Sequence, residues 1–449
     1  MKVGRNVFYV LCFITLIYLL MMNISMYQSS RSDIYIMSSH LYQSFHQSLH
    51  PVSVDCKKEI AKSKLLLMNR NLSVDCLALQ EDNCHESFKT IADQADPFSV
   101  FLRSAACQID LPANTSVTTK ERDFPLAFFI TVFKDSRNLE QLLQTIFRPH
   151  NAYCIHVDAK SDPLFMRTIQ QIVSCYKLAF PDTNIFISSE AVGVYWGHFS
   201  IVQAEIICLR ELHALDVPWK YALNLGGSDQ MLYTNQELVT MLSSTEQPEI
   251  YVESFELPDF HFYRIESKWE LDVPPGFNPD NAAGGNTPMR QKDKETDPLQ
   301  PVPFGIKIYK GKKSYKLPRS FVTFFLEHPV AQEFTNWSKD IYIPDESVIQ
   351  SLARISTVLE RNGTWEVEMD YTPSDPDHLQ VWQADGGECR GFWRNSVCVF
   401  SLEDMSAILW SNNHIVNKFR TDKDPWVVDC LAEIMSKKKT NERSGDKIQ

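Results

Sequence analysis

The sequence predicts an α/β domain, a mostly parallel sheet covered by helices on both faces, behind an N-terminal signal-anchor helix and a cysteine-bearing stem. Three observations lead there. One long apolar run lies near the N-terminus, an even set of cysteines follows it, and after Asp123 apolar strand-like runs alternate with amphipathic ones. The 449 residues, 44% hydrophobic and 22% charged, are ample for a buried core. Lys plus Arg number 44 against 56 Asp plus Glu, a net charge of −12. That is the wrong sign for a chain whose affinity would come from neutralising phosphates, so no nucleic-acid partner is expected.

Residues 1–6, with Lys2 and Arg5, read as a basic cytoplasmic tail, and residues 7–22 (Val7 to Met22) as a transmembrane signal anchor broken only by Thr15 and Tyr18. A helix over that run covers about 24 Å, short for an average bilayer and suited to the thinner early secretory membranes. No small-residue cleavage site follows, since the chain continues through Asn23, Ile24, Ser25, Met26 and Tyr27. An uncleaved anchor is therefore expected in place of a cleaved signal peptide. The basic residues on the short side place everything from about residue 23 in the lumen.

A lumenal chain is oxidised, and the cysteines agree. Of 11, Cys12 sits in the anchor, leaving Cys56, Cys76, Cys84, Cys107, Cys154, Cys175, Cys208, Cys389, Cys398 and Cys430. An even number fits five disulfides; buried thiols are the alternative, and no pair of C-x-x-C spacings supports zinc. The sequons at Asn71, Asn114, Asn336 and Asn362 point to the same compartment.

Residues 23–122 are irregular in pattern and read as the lumenal stem; residues 123–435 carry the folded domain. Strands are expected at Leu126 to Phe133, Tyr153 to Val157, Asn184 to Ser188, Tyr221 to Leu225 and Glu249 to Val252. The clearest helix is Ser200 to Leu215, where Ile201, Ala204, Cys208, Leu212 and Leu215 recur on one face. Parallel sheets place ligands at the carboxyl ends of their strands, here the loops after Phe133, Val157 and Leu225. Pro274 to Pro303 is a Pro-, Gly- and Asn-rich loop, and residues 436–449 a charged C-terminal tail expected to fray.

Three segments carry a resemblance: Ala152-Tyr-Cys-Ile-His-Val-Asp158, Leu223-Asn-Leu-Gly-Gly-Ser-Asp229 and Tyr342-Ile-Pro-Asp-Glu-Ser347. With Ser396-Val-Cys-Val-Phe400 and Asn417-Lys-Phe419 they resemble the core 2 β-1,6-N-acetylglucosaminyltransferase and I-branching family, glycosyltransferase family 14, over about Phe124 to Met435. The resemblance implies a single-pass type II Golgi membrane protein with a lumenal GT-A type, Rossmann-like catalytic domain. It further implies an inverting enzyme that takes a sugar from a UDP donor to an O-glycan or glycoprotein acceptor with no metal ion or other cofactor.

Sugar transfer from a nucleotide needs a base for the attacking hydroxyl and positive charge for the departing diphosphate. The family base position falls on Glu346 in Pro344-Asp345-Glu346, although Pro followed by acidic residues is also how helices begin. The D-x-D matches, Asp375-Pro-Asp377 and Asp422-Lys-Asp424, lie in polar stretches and read as turn or surface residues rather than metal ligands. The family alternative is a pair of basic side chains. Lys418 takes the lysine position; the arginine position falls on Asn395, with Arg394 one residue earlier.

For the donor, Thr131, Val132, Phe133, Asp158, Ala159 and Lys160 match the uridine-binding segments, and Tyr195 or Trp196 fills one aromatic position. For the acceptor, Glu253, Arg264 and Trp382 fall on sugar-binding positions, while His261 and Ala384 depart from the family's lysine and aromatic residue. The resemblance also suggests disulfides Cys56 with Cys430, Cys107 with Cys175, Cys154 with Cys208 and Cys389 with Cys398, leaving Cys76 with Cys84. GlcNAc transfer in β-1,6 branching is the expected reaction. A different donor, glucose or xylose, or a glycan-binding protein without turnover are its rivals; a glycoside hydrolase is disfavoured because adjacent Asp345 and Glu346 cannot flank a bond.

Overall fold

The computed structural model describes residues 117–275, 277 and 288–444. The expected cytoplasmic tail, anchor helix and most of the stem lie outside the described residues, as do Cys56, Cys76, Cys84, Cys107, Asn71 and Asn114. No helix among the described residues is long and apolar enough to cross a membrane.

Six strands form the central sheet: β1 (Leu126–Val132), β2 (Ala152–Val157), β3 (Asn184–Ile187), β4 (Tyr221–Gly226), β5 (Tyr251–Val252) and β6 (Tyr315–Pro318), in the order β3-β2-β1-β4-β6-β5. β3, β2, β1 and β4 run parallel, as expected; β6 pairs antiparallel with both β4 and β5. The sheet is thus mixed rather than mostly parallel over its whole width. β6 is invisible to a hydrophobicity scan because it carries Lys316, fully buried with its Nζ donating to the Pro376 carbonyl.

Both faces are covered, and β1 shows why. Leu126, Phe128, Ile130 and Val132 pack with Leu139, Leu142 and Leu143 of α1 (Ser136–Ile146) and with Ile169, Ile172 and Tyr176 of α2 (Pro163–Ala179). The alternate residues Ala127 and Phe129 face the other layer, with Val202, Leu209 and Leu212 of α3 (Ser200–Ala214). β1 ends at Val132, leaving Phe133 half exposed at the rim.

Cys154 of β2 is bonded to Cys208 of α3, and Cys389 to Cys398, as the resemblance implied. Cys175 is disulfide-bonded, and its expected partner lies outside the described residues. Cys430 is buried in α4 (Pro425–Ser444). Asn336 and Asn362 are both exposed. The final helix runs on to Ser444 through the stretch expected to fray, because Lys438 pairs with Glu237 at 2.9 Å and Lys439 donates to the Gln144 carbonyl at 2.8 Å.

The two described disulfides differ in the loop they close, 54 residues against nine. Loop entropy then predicts a loss of about 4 kcal/mol for the Cys154→Ala, Cys208→Ala variant and about 2.5 kcal/mol for Cys389→Ala, Cys398→Ala. Denaturant midpoints check this, and the reverse ranking would contradict it.

Candidate active site

β1, β2, β4 and β5 end at one edge of the sheet, and antiparallel β6 begins there. Residues 133–135, 158–160, 227–229, 253 and 310–313 therefore meet at one rim, where ligands of open α/β sheets bind. Three groups of side chains occupy it.

In the first, the Asp158 carboxylate, buried after β2, accepts from the Lys160 backbone and Nζ, both at 2.8 Å, and from the Val194 N–H at 3.3 Å. Lys160 Nζ also donates to the Val194 carbonyl at 2.6 Å and lies 4.3 Å from the Tyr195 ring centre. Tyr195 is thereby held beside Asp158, while Trp196 is turned to Tyr342, 5.6 Å away edge to face. The Val132 carbonyl accepts from the Asp158 N–H at 2.9 Å, and the Phe133 carbonyl from the Ser161 hydroxyl at 3.1 Å. These bonds align Thr131, Val132 and Phe133 with Asp158, Ala159 and Lys160.

The second group is cationic. Lys418 Nζ donates to the Arg394 carbonyl at 3.0 Å. Desolvation first, then the charges of Arg394, Lys134 and Arg420, pull the Lys418 ammonium down to about 8; desolvation, Arg394 and Arg420 do the same to Lys134. Burial and Arg420 also lower Arg394. Four cations thus converge, of which sequence motifs pointed only to Arg394 and Lys418. Lys134 and Arg420 arrive because Asp135 stitches two loops together: its carboxylate accepts from the Thr421 N–H at 2.8 Å, from the Thr421 hydroxyl, and from the Asn138 N–H at 3.1 Å. Asn395, the alternative arginine position, is a turn residue at φ 50° that follows the strand bearing Arg394. Trp382 stands with this group, bridged to Val397, the residue with which Arg394 is paired.

The nearby carboxylates are used internally. Asp229 accepts from the Gly226 N–H at 2.6 Å and from the Asn417 amide at 2.5 Å, and burial raises it to about 6. Asp422 pairs with Arg420, and Asp424 accepts from the Leu402 and Trp426 N–H groups at 2.8 and 3.1 Å. Asp375 accepts from the Asp377 N–H at 2.7 Å. Among the described residues no cluster of His, Cys, Asp and Glu has the form of a metal site.

The third group surrounds Glu346, at the end of a one-turn helix (Pro344–Glu346). Its Oε2 lies 2.8 Å from Arg264 Nη1 and 3.3 Å from Lys310 Nζ. Glu253 accepts from the Lys312 N–H at 3.0 Å and pairs with Lys312 Nζ at 3.2 Å. His261 shares a turn with Arg264; burial, then Arg264 and Lys310, lower its imidazole to about 4, so it is neutral at physiological pH. Desolvation and the adjacent Glu346 raise Asp345 to about 7, which leaves Glu346 as the carboxylate facing Arg264 and Lys310.

Two glycines make the assembly possible. Gly197, at φ +78°, has the Tyr342 ring where a Cβ would stand, and its carbonyl accepts from the Ile343 N–H at 2.9 Å. That bond ties the Val194–Tyr195 segment of the first group to the Glu346 turn of the third. Gly311 lies between the Glu253 carbonyl and the Glu346 carbonyl, to which it donates at 3.0 Å. Of the anticipated residues, then, the structure joins Asp158, Lys160 and Tyr195; Arg394 and Lys418; and Glu253, His261, Arg264 and Glu346.

Comparison with known proteins identifies the family of the chain. The family model described as Core-2/I-Branching enzyme matches residues 126–409. The chain belongs to the Core-2/I-branching enzyme family. A human N-acetyllactosaminide β-1,6-N-acetylglucosaminyl-transferase is 28% identical over 399 residues, 83% of this chain and 88% of the relative. The Danio rerio β-1,3-galactosyl-O-glycosyl-glycoprotein β-1,6-N-acetylglucosaminyltransferase 4 is 30% identical over 327 residues, 72% of each chain. A Bovine herpesvirus 4 β-1,3-galactosyl-O-glycosyl-glycoprotein β-1,6-N-acetylglucosaminyltransferase is 31% identical over 341 residues, 72% of this chain and 70% of the relative. This Core-2/I-branching chain is accordingly a glycosyltransferase of the β-1,6-N-acetylglucosaminyltransferase family.

Proposed function

We propose that this chain moves N-acetylglucosamine from UDP to a hydroxyl of an O-glycan core, forming a β-1,6 branch with inversion and without a metal ion. The observation that carries the reading is the convergence of four cations at the strand-end rim that also holds Glu346 between Arg264 and Lys310. Asp158 and Tyr195 would take the nucleoside, and Lys134, Arg394, Lys418 and Arg420 the diphosphate. Glu253, His261, Arg264 and Trp382 would orient the acceptor. Glu346 would accept the proton of the attacking hydroxyl as the new C–O bond forms at the anomeric carbon and the bond to the diphosphate breaks. The charge that develops on UDP would be stabilised by the four cations, which would do the work that a divalent ion does in metal-dependent transfer.

The same reading gives the domain residues 123–435 a GT-A type, Rossmann-like architecture, anchored in the Golgi membrane by residues 7–22 with the catalytic part lumenal. Its test is UDP release by the detergent-solubilised full-length protein with a panel of UDP-sugars and a core disaccharide acceptor. Acceptor-dependent release from UDP-N-acetylglucosamine that survives EDTA is expected. Release only from UDP-glucose or UDP-xylose would replace the donor, release abolished by EDTA would replace the cation mechanism, and no release with intact UDP binding would leave a glycan-binding protein.

The two lysines make donor binding pH-dependent. Both titrate near 8 in the free protein, so between pH 7 and 9 they lose the protons that a diphosphate needs. The rise in melting temperature produced by UDP should therefore be larger at pH 7 than at pH 9. The free protein moves the other way: the unfolded lysines titrate near 10.5 and bind more protons than the folded ones above pH 8, so these groups make it more stable as pH rises through that window. An equal UDP effect at both pH values would remove the lysines from the donor site.

A further inference from the structure

One cation at the rim has no part in the roles above. Lys313 stands two residues before Tyr315, the first residue of β6; its carbonyl accepts from the Asn224 amide of β4 at 2.7 Å, and the Asn224 side-chain oxygen takes the Tyr315 N–H at 2.7 Å. Those two bonds fix where the segment enters the sheet. Residues two apart on an extended chain point to one face, and Lys313 and Tyr315 both reach Glu205 of α3. Glu205 is 2% exposed; its Oε1 lies 3.3 Å from Lys313 Nζ and its Oε2 accepts from the Tyr315 hydroxyl at 3.2 Å. A buried carboxylate thus holds the ammonium, whose side chain stays one-third exposed at the rim.

The Lys313 charge is felt in all three groups of the site. Burial and the adjacent Glu346 raise Asp345, burial raises Asp229, which is bonded to Asn417 next to Lys418, and Lys313 counters both. Burial lowers the His156 imidazole, two residues before Asp158, and Lys313 adds to that. In an inverting displacement the base and the leaving diphosphate stand on opposite sides of the anomeric carbon. The transferred sugar then lies between Glu346 and the four-cation group, and Lys313 has neighbours from both of those places and from the nucleoside side. We propose that Lys313, oriented by Glu205, binds the transferred sugar of the UDP donor and helps to select it. The inference rests on the transferase reading of the site and deepens it. An ammonium only donates, so its partners on a sugar are oxygens, and on N-acetylglucosamine the amide carbonyl is the strongest acceptor. Lys310 and Lys312 are already committed to Glu346 and Glu253. The diphosphate is a poorer partner for Lys313, because Glu205 offsets the charge that UDP would need, whereas a neutral sugar needs a directed N–H.

The experiment measures dissociation constants of UDP, UDP-N-acetylglucosamine and UDP-glucose with the full-length protein in detergent, for wild type, Lys313→Met and the double variant Lys313→Met, Glu205→Gln. In Lys313→Met, UDP-N-acetylglucosamine should bind about tenfold more weakly, the size of one charge-assisted hydrogen bond, and UDP as in wild type. That variant leaves Glu205 buried without its cation and should melt at a lower temperature. The double variant removes both charges, and the Tyr315 hydroxyl can still donate to the amide oxygen, so it should regain stability but not sugar affinity. Equal weakening of UDP and UDP-N-acetylglucosamine would put Lys313 on the diphosphate, and wild-type affinity for UDP-sugars in the double variant would leave only a structural ion pair; either result overturns the proposal. Tighter binding of UDP-glucose in wild type, lost in Lys313→Met, would replace the donor in the transferase reading and keep Lys313 on the sugar. The expected binding pattern with no transfer to any acceptor would sink the transferase reading and keep the assignment.

Discussion

Glu346→Gln should lower kcat by about a thousandfold, in the range that loss of a general base produces, while leaving UDP affinity unchanged. The amide keeps the shape of the carboxylate and can still accept from Arg264, 2.8 Å away, so the turn that carries it has no reason to rearrange. What it cannot do is take a proton. UDP affinity is the control because the cations assigned to the diphosphate, Lys134, Arg394, Lys418 and Arg420, form a group separate from the Arg264 and Lys310 that hold Glu346. Initial rates of UDP release at saturating donor and acceptor decide the matter, and retention of a tenth of the wild-type rate would move the base elsewhere.

Much of this site could be read from the chain before any coordinates. The apolar run Leu126–Val132 reads as a strand and Ile201, Ala204, Cys208 and Leu212 as one helix face, and the strand is buried nearly throughout while those four helix residues are all buried. The motif ending in Glu346 and the lysine Lys418 were legible through their resemblance to a family. Lys134 and Arg420 were not, since what makes them part of the site is Asp135 bonding to Thr421 across 286 residues of chain. Local sequence holds no trace of such a contact. Lys310 and Lys312 sit in a basic run that reads as surface charge, and β6 hides its strand character behind a buried lysine. The stitches that convert three sequence motifs into one rim are polar and long-range, whereas periodicity reports only apolar and local order.

Gly311→Ala should lower the rate by about a hundredfold, although Gly311 itself is assigned neither to the base nor to the donor or acceptor. A Cβ at this position would stand 1.7 Å from the Glu253 carbonyl oxygen and 2.5 Å from its carbon, far inside contact distance, and the obstruction is backbone rather than a side chain that can swing away. The glycine is required here for close approach, since its φ is not in the left-handed region. Its neighbours cannot yield independently. Gly311 donates to the Glu346 carbonyl at 3.0 Å, Lys310 reaches the Glu346 carboxylate at 3.3 Å, and the Lys312 N–H holds the Glu253 side chain at 3.0 Å. Relieving the clash means moving Glu253 away from Glu346, or the 310–312 segment away from both. A shift of about 1 Å between acceptor-holding and proton-accepting groups costs on the order of a hundredfold in rate, and overpacking of this kind lowers stability by about 1–3 kcal/mol. The expected profile is therefore a strong fall in kcat/KM for the acceptor, a modestly lowered melting temperature, and UDP binding close to wild type. Near-normal transfer by Gly311→Ala would mean that Glu253 and Glu346 do not need the spacing that this glycine sets.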